Sequence, residues 1–306
     1  MSGFGLVAAL DAQTVADAVG LGAVYALMAV GIGLVFGVLR LVNFAYGQLV
    51  MAGAYTLAFT SAWPAAASIA ACFVVVVAFS LVMERTVFKP LRFSSPAVML
   101  VTTFALAFML QAIALLVDVR DGTIGEPAAS LSGLNQAVDV AGVDVRKISI
   151  VAVLVGAAAL GGLALLLART TIGLHMRAAA ADFATARLLG VQANRVIGLA
   201  VLLSGLLAAT VAVILTVQSP LVTPGFALRD TIVVLVGVVV GGIDRLWTAT
   251  LGGFTIGFAM GVINGALPTD KTVFLPSVVF ALVILVLLLR PAGLFAWGRA
   301  AAVERV

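Results

Sequence analysis

Thr231 to Ile243, TIVVLVGVVVGGI, is uncharged for thirteen residues, with Arg229-Asp230 before it and Asp244-Arg245 after it. A helix rising 1.5 Å per residue needs about 20 mostly apolar residues to cross a hydrocarbon core about 30 Å thick, so this run is too short to cross alone. It is either a full span with its charged pair at the interface or a broken, re-entrant helix, and residues 226–243 hold that choice.

Working outward, uncharged runs of spanning length are plentiful. Ala18 to Leu39 is one; Leu41 to Met83 is long enough for two, with Trp63-Pro64 as the turn between them. Phe93 to Val117, Ile148 to Ala168, Val196 to about Val217, Leu246 to Thr269 and Thr272 to Leu289 bring the total to eight besides the short run. The composition agrees: 63% hydrophobic and 10% charged residues lie far outside the soluble globular range of roughly 45–50% and about 25%. No stretch is polar and long enough to fold as a separate soluble domain, so residues 1–306 read as one integral membrane domain. The first twenty residues lack a basic segment and carry Asp11 and Asp17, which argues against a cleaved secretory signal.

Charge favours a full span for the short run over re-entry. If it spans, with the N-terminus outside, twelve of the seventeen basic residues fall in inside loops and five outside. If it re-enters, Arg245, Arg290, Arg299 and Arg305 move outside and the bias collapses. The expected fold is therefore an all-α polytopic transmembrane helical bundle of about nine membrane segments, N-terminus out and C-terminus in. It leaves one sizeable external loop, 118–147, with Asp118, Asp121, Glu126, Asp139 and Asp144. It also leaves a cytoplasmic loop at 169–195, RTTIGLHMRAAAADFATARLLGVQANR.

Several chemistries have nothing to rest on. No uncharged run holds an ionisable residue at mid-depth, which disfavours proton-coupled transport. Gly265 to Thr272, GALPTDKT, is the nearest approach to a phosphate-binding Walker loop, but Asp270 precedes the lysine where glycine is required. His175 is the one histidine and has no Cys, Asp or Glu at ligand spacing, so no metal site is expected. The lone Cys72 reads as a small buried hydrophobe. Basic residues are dispersed rather than striped, so nucleic acid is not an expected partner; the lipid bilayer is. No catalytic residues are expected.

Glycine recurs at four-residue spacing in Gly33 to Gly37, Gly253 to Gly257 and Gly257 to Gly261, the spacing that lets membrane helices approach closely. In Leu39 to Tyr55, Asn43, Tyr46 and Gln48 interrupt two apolar spans on either side of Gly47. Such polar groups must find a neighbouring helix, water or a passing solute, which makes these three candidate pathway residues. Gln111, Ser204, Thr216, Gln218 and Asn264 read as packing.

Val42 to Tyr55, VNFAYGQLVMAGAY, resembles the first signature segment of permeases from branched-chain amino acid (LIV-type) ABC importers; urea and short-chain amide importers use similar permeases. Gly173 to Val191 resembles their cytoplasmic loop and Arg290 to Phe295, RPAGLF, their C-terminal ending. Tyr46 and Gln48 stand where that family often has His and Glu, and Ile243 to Trp247, IDRLW, replaces a small-residue turn.

The resemblance implies a subunit that works with a second homologous permease, two cytosolic ABC ATPases and an extracytoplasmic solute-binding protein. ATP is then used by the partners, and this chain binds no cofactor. It implies a bacterial inner-membrane protein moving branched-chain amino acids or a similar small polar solute, with closure of the ATPases transmitted through loop 169–195. A helix over Leu174 to Leu189 with Gly190 as its C-cap places Met176, Ala180, Phe183 and Arg187 on one face. These, with Arg177 and Asp182 near the rim, are the expected contacts to the ATPase. A stand-alone sodium-coupled carrier and a passive small-solute channel are the alternatives.

Overall fold

The computed structural model describes residues 12–39, 43–91, 94–120, 125–128, 131–140, 143–242, 245–268 and 274–290. In chain order the helices are α1 (Ala12–Leu39), α2 (Tyr46–Phe59), α3 (Ala65–Met83), α4 (Pro96–Arg120), α5 (Lys147–Arg169), α6 (Thr171–Ala181), α7 (Phe183–Leu188), α8 (Ala193–Gln218), α9 (Leu228–Gly241), α10 (Leu246–Ala266) and α11 (Leu275–Leu289). A π turn, Glu84–Phe88, and a last short turn, Lys89–Leu91, prolong α3. The strands are short: β1 (Glu126–Pro127), β2 (Ala137–Val140), β3 (Val143–Arg146) and β4 (Leu221–Val222). Six helices are long and apolar enough to cross a bilayer, so the chain is an all-α, multi-pass membrane bundle.

One end of the bundle carries the β2–β3 hairpin and the antiparallel pairing of β1 with β4; the other carries α6 and α7. Between these ends the segments alternate in direction. At the centre stands α1, apolar on every face and buried along most of its length, as a helix with no solvent stripe must be. Against it lie α5, α8, α9 and, most extensively, α10.

The α1–α10 contact is a zipper of small residues. A Cβ on Gly253 would lie 2.5 Å from the Cβ of Ala29, one on Gly257 2.9 Å from the Cα of Gly22, and one on Gly261 2.5 Å from the Cα of Ala18. Gly265 against Thr14 extends the expected glycine spacing by another turn, and Gly33 meets Leu246 of α10, whereas Gly37 faces open space. Without a hydrophobic force between helices in lipid, this backbone approach is what holds the pair together.

Three apolar helices fall short of a full span: α11, at 15 residues, and two half-length helices. At 14 residues each, α2 and α9 are about 21 Å long and cannot cross a bilayer as helices. The chain crosses beside α2 and α9 only by adding non-helical backbone. The expectation of a full span in the first part of Leu41 to Met83 is thereby corrected. In the short run, over the described residues 231–242, α9 does not reach spanning length alone and does not turn back on itself. Its chain comes from β4 at the hairpin end, turns through 223–227, and only then becomes helical, reaching the opposite end at Gly242 (φ +106), from which α10 runs back. Backbones of α9 and α10 touch, since a Cβ on Gly252 would sit 2.2 Å from the carbonyl oxygen of Gly237.

Order and packing repeat in inverted sense. A long helix, a half-helix and a long helix occur as α1–α2–α3 and again as α8–α9–α10, running the opposite way. As α1 packs on α9 and α10, so α8 packs on α2 and α3, and α1 and α8 pack on each other. Small residues serve both copies: Gly205 of α8 faces Ser80 of α3, whose hydroxyl donates to the Val201 carbonyl at 2.9 Å.

The zipper gives a direct expectation. Gly257→Val should destabilise the purified protein by about 1–3 kcal/mol through overpacking, lowering its unfolding temperature. Gly162→Ala on α5, where an added Cβ meets nothing within 4 Å, should leave that temperature unchanged in the same thermal scan.

Candidate functional site

At the middle of the bundle the N-termini of the two half-helices meet. A Cβ on Gly47 would lie 2.4 Å from Thr231 Oγ1 and 2.9 Å from the Ala227 carbonyl, so only glycine lets α2 start against α9. Thr231 Oγ1 donates back to the Ala227 carbonyl at 2.7 Å, and Asn43 Oδ1 accepts from the Ala45 amide at 3.0 Å, organising the two first turns. Both helix dipoles point their positive ends at this junction.

Asn43, Tyr46 and Gln48 all fall here, and all are buried, at 2%, 0% and 1% exposure. Tyr46 lies against Gly31 of α1, where an added Cβ would overlap its ring, and the Gly31 carbonyl accepts from Ser204 Oγ at 2.7 Å. Ser204 is thus a packing residue, as its sequence context suggests. Tyr46 Oη and Gln48 Oε1 have no hydrogen-bond partner among the described residues. The three candidates therefore form a buried polar knot at the junction in this conformation.

Just above that knot is a group the sequence reading places wrongly. Tyr25, midway along α1, donates from its hydroxyl to Asp230 Oδ1 at 2.6 Å, and the Met260 sulfur of α10 lies 3.2 Å away. Asp230 and Arg229 occupy the first turn of α9, opposite the middle of α1, so ionisable groups do lie within the spanning layer. The reason is the non-helical 223–227 segment, which lowers the start of α9 from the bundle end to its interior. A charged pair immediately before an apolar run too short to span was the available signal.

At the hairpin end, Asp118 is fully buried at the end of α4. Its Oδ1 accepts from Tyr55 Oη of α2 and its Oδ2 from the Gly125 amide, both at 3.0 Å. Ala128 N–H donates to the Pro220 carbonyl at 2.8 Å, and Met51, Ala54, Ala128 and Val222 pack beneath. Part of loop 118–147 is therefore clasped to the top of α2 and to β4. Asp121 and the side chain of Asp144 lie outside the described residues.

At the other end, the single helix expected over Leu174 to Leu189 is two. Thr170 caps α6 by accepting from the Gly173 amide at 3.1 Å, and the helix stops at Asp182, whose backbone is extended (φ −151, ψ 105). Asp182 then opens α7 by accepting from the Thr185 amide at 3.1 Å. Gly190 ends α7 as expected: at φ +89 its amide donates to Arg187 and the Val191 amide to Ala186, which satisfies two terminal carbonyls.

The break at Asp182 removes the single continuous helix on which the expected common face of Met176, Ala180, Phe183 and Arg187 rests. Met176 is 3% exposed and belongs to the buried core, on a helix that packs against α5, α8 and α1, so as a contact offered to a partner it is corrected. Arg177 donates to the Leu167 carbonyl and fastens α6 to the end of α5. Arg187 is exposed, and Leu188 and Leu189, at 88% and 81%, protrude beside it. The sequence reading missed those two leucines because an unbroken helix hid them among ordinary apolar positions. The side chain of Phe183 and residues 291–295 lie outside the described residues.

This architecture has relatives. Residues 14–289 match the model of a family described as the branched-chain amino acid transport system permease component. The chain belongs to that permease family. It is 30% identical over 300 residues to the high-affinity branched-chain amino acid transport system permease protein BraD of Pseudomonas aeruginosa, covering 92% of this chain and 94% of that one. It is 27% identical to the corresponding LivH proteins of Escherichia coli, over 299 residues, and Salmonella typhimurium, over 296, at the same coverage. No solved structure matches the permease.

The Asp118 clasp is open to a simple test. Asp118→Ala in the permease leaves Tyr55 Oη and the Gly125 amide without their acceptor, a cost of about 1–3 kcal/mol. Hydrogen–deuterium exchange over 125–128 should quicken by about tenfold or more, while exchange in α10 stays as in the parent.

Proposed function

We propose that this chain is the membrane-spanning subunit of an ATP-binding-cassette importer in a bacterial inner membrane, carrying branched-chain amino acids or a similar small polar solute into the cytoplasm by alternating access. The observation that carries the reading is the family match over nearly the whole spanning bundle, residues 14–289. The relatives' names give the solute class.

In this reading the hairpin end faces the extracytoplasmic side and α6–α7 the cytoplasm, which is the orientation that the basic residues favour. A solute-binding protein docks over the hairpin end, where 118–147 is clasped. A second homologous permease completes the pathway, and two ABC ATPases sit beneath α6–α7. ATP is bound by those partners and no cofactor by this chain. Residues 1–306 are read as one transmembrane domain, a reading that the continuous core of the described helices supports.

Residues 169–195 form the coupling element. Arg177 and Met176 hold α6 to the bundle, while Asp182 and Gly190 fix both ends of α7. Arg187, with Leu188 and Leu189, presents a compact apolar and cationic knob to the ATPase groove, and Phe183 is proposed as a further contact to it. Motion of α6 passes to α1 and α8, on which it packs, and from there to the junction of α2 and α9, where Asn43, Tyr46 and Gln48 open and close the pathway.

Reconstituted with its partners in proteoliposomes, the wild-type complex should take up leucine only with ATP. Arg187→Glu and the pair Leu188→Ala, Leu189→Ala should each cut uptake about tenfold or more while hydrolysis persists, since truncated anchors of a docked interface cost about 2 kcal/mol or more. Leucine flux through the permease alone, driven by sodium or by its own gradient, would replace this reading with a carrier or a channel.

A further inference from the structure

Between the end of α8 and the first turn of α9 lies a cavity of about 380 Å³, within the size range of small-molecule sites. Arg229 and Asp230 stand side by side in its wall, with Ser219, Thr223, Phe226 and Met260 around them. Asp230 has one oxygen held by Tyr25, which leaves acceptor capacity on the carboxylate facing the cavity. Arg229 is exposed to the cavity and makes no hydrogen bond or ion pair among the described residues.

A cation and an anion fixed on adjacent residues inside a membrane bundle recognise a solute that carries both charges. Arg229 and Asp230 attract each other, so an amine alone would draw Asp230 away from Arg229 and a carboxylic acid alone would draw Arg229 away from Asp230, whereas a zwitterion offers each a partner at once. The positive end of α9 reinforces Arg229 in favour of a carboxylate. Phe226 and Met260 supply an apolar wall, and the flexible thioether adapts to differently branched aliphatic groups.

We propose that this cavity is a solute station within the permease that takes an aliphatic α-amino acid as its zwitterion, carboxylate on Arg229 and ammonium on Asp230. The assignment rests on the import function proposed above. It also gives the Tyr25–Asp230 bond a role: an ammonium drawing on Asp230 competes with the Tyr25 hydroxyl, so occupancy is felt by the central helix α1.

The test uses the full-length chain in nanodiscs with a thiol placed at the cavity lip, Ser219→Cys, and a charged thiol reagent; Cys72 is buried. L-Leucine should slow labelling, whereas isoamylamine and 4-methylpentanoate, each lacking one of its charges, should not. Adding Arg229→Gln, an exposed position where folding is not at issue, should weaken leucine protection about 30-fold or more, as should Asp230→Asn. Equal protection by all three compounds, or protection surviving Arg229→Gln, would overturn the assignment. So would absence of protection in a chain whose partner complex imports leucine. Protection without ATP-driven uptake by that complex would instead leave the station standing and remove the import function.

Discussion

The approach of Gly47 to Thr231 and Ala227 is the constraint on which the rest of the structure depends. Two helices that stop halfway across a membrane leave amides and carbonyls that lipid cannot satisfy, so both breaks have to be buried in protein. The bundle meets this by setting the two N-termini against each other and walling them with full-length helices. That is why α1 is apolar on every face, why α8 packs beside it, and why α3 and α10 close the two flanks. Asn43 supplies an acceptor to the Ala45 amide at one break, and at the other the Thr231 hydroxyl adds to the bond its own amide makes with the Ala227 carbonyl.

From this constraint follows the electrostatics of the interior. Two positive helix ends converge on one region, and the chain places the carboxylate of Asp230 next to them with Tyr25 as its donor. The glycine zipper between α1 and α10 has the complementary role of holding the long helices close enough that the breaks stay sealed. Motion at either end of the bundle reaches the junction through rigid helices: from α6 by way of α1 and α8, and from the hairpin end by way of the Asp118–Tyr55 contact on α2.

Much of this was legible in the sequence. Composition and run length gave a helical membrane bundle, the segment borders fell within a few residues, and three local blocks pointed to the family that the comparison confirmed. Gly190 was readable as a helix terminator because glycine tolerates the left-handed turn. What stayed hidden shares one cause. Run length reports how long a stretch is uncharged, not how deep it begins, so Leu41 to Met83 looked like two spans although α2 is half of one. For the same reason Arg229-Asp230 looked interfacial. The helical wheel over 174–189 failed likewise, because the break at Asp182 comes from a side chain that caps the next helix instead of continuing the last. It took Met176 out of the docking face and left Leu188 and Leu189 in it.

The measurement that bears most directly on this account is the depth of Asp230 in an electron cryomicroscopy map of the importer complex in nanodiscs, where the bilayer boundaries are visible. The account predicts its carboxylate within about 10 Å of the midplane of a core about 30 Å thick, beside Tyr25, with 223–227 non-helical above it. A continuous helix through 222–243 that leaves Asp230 at the headgroups would contradict it.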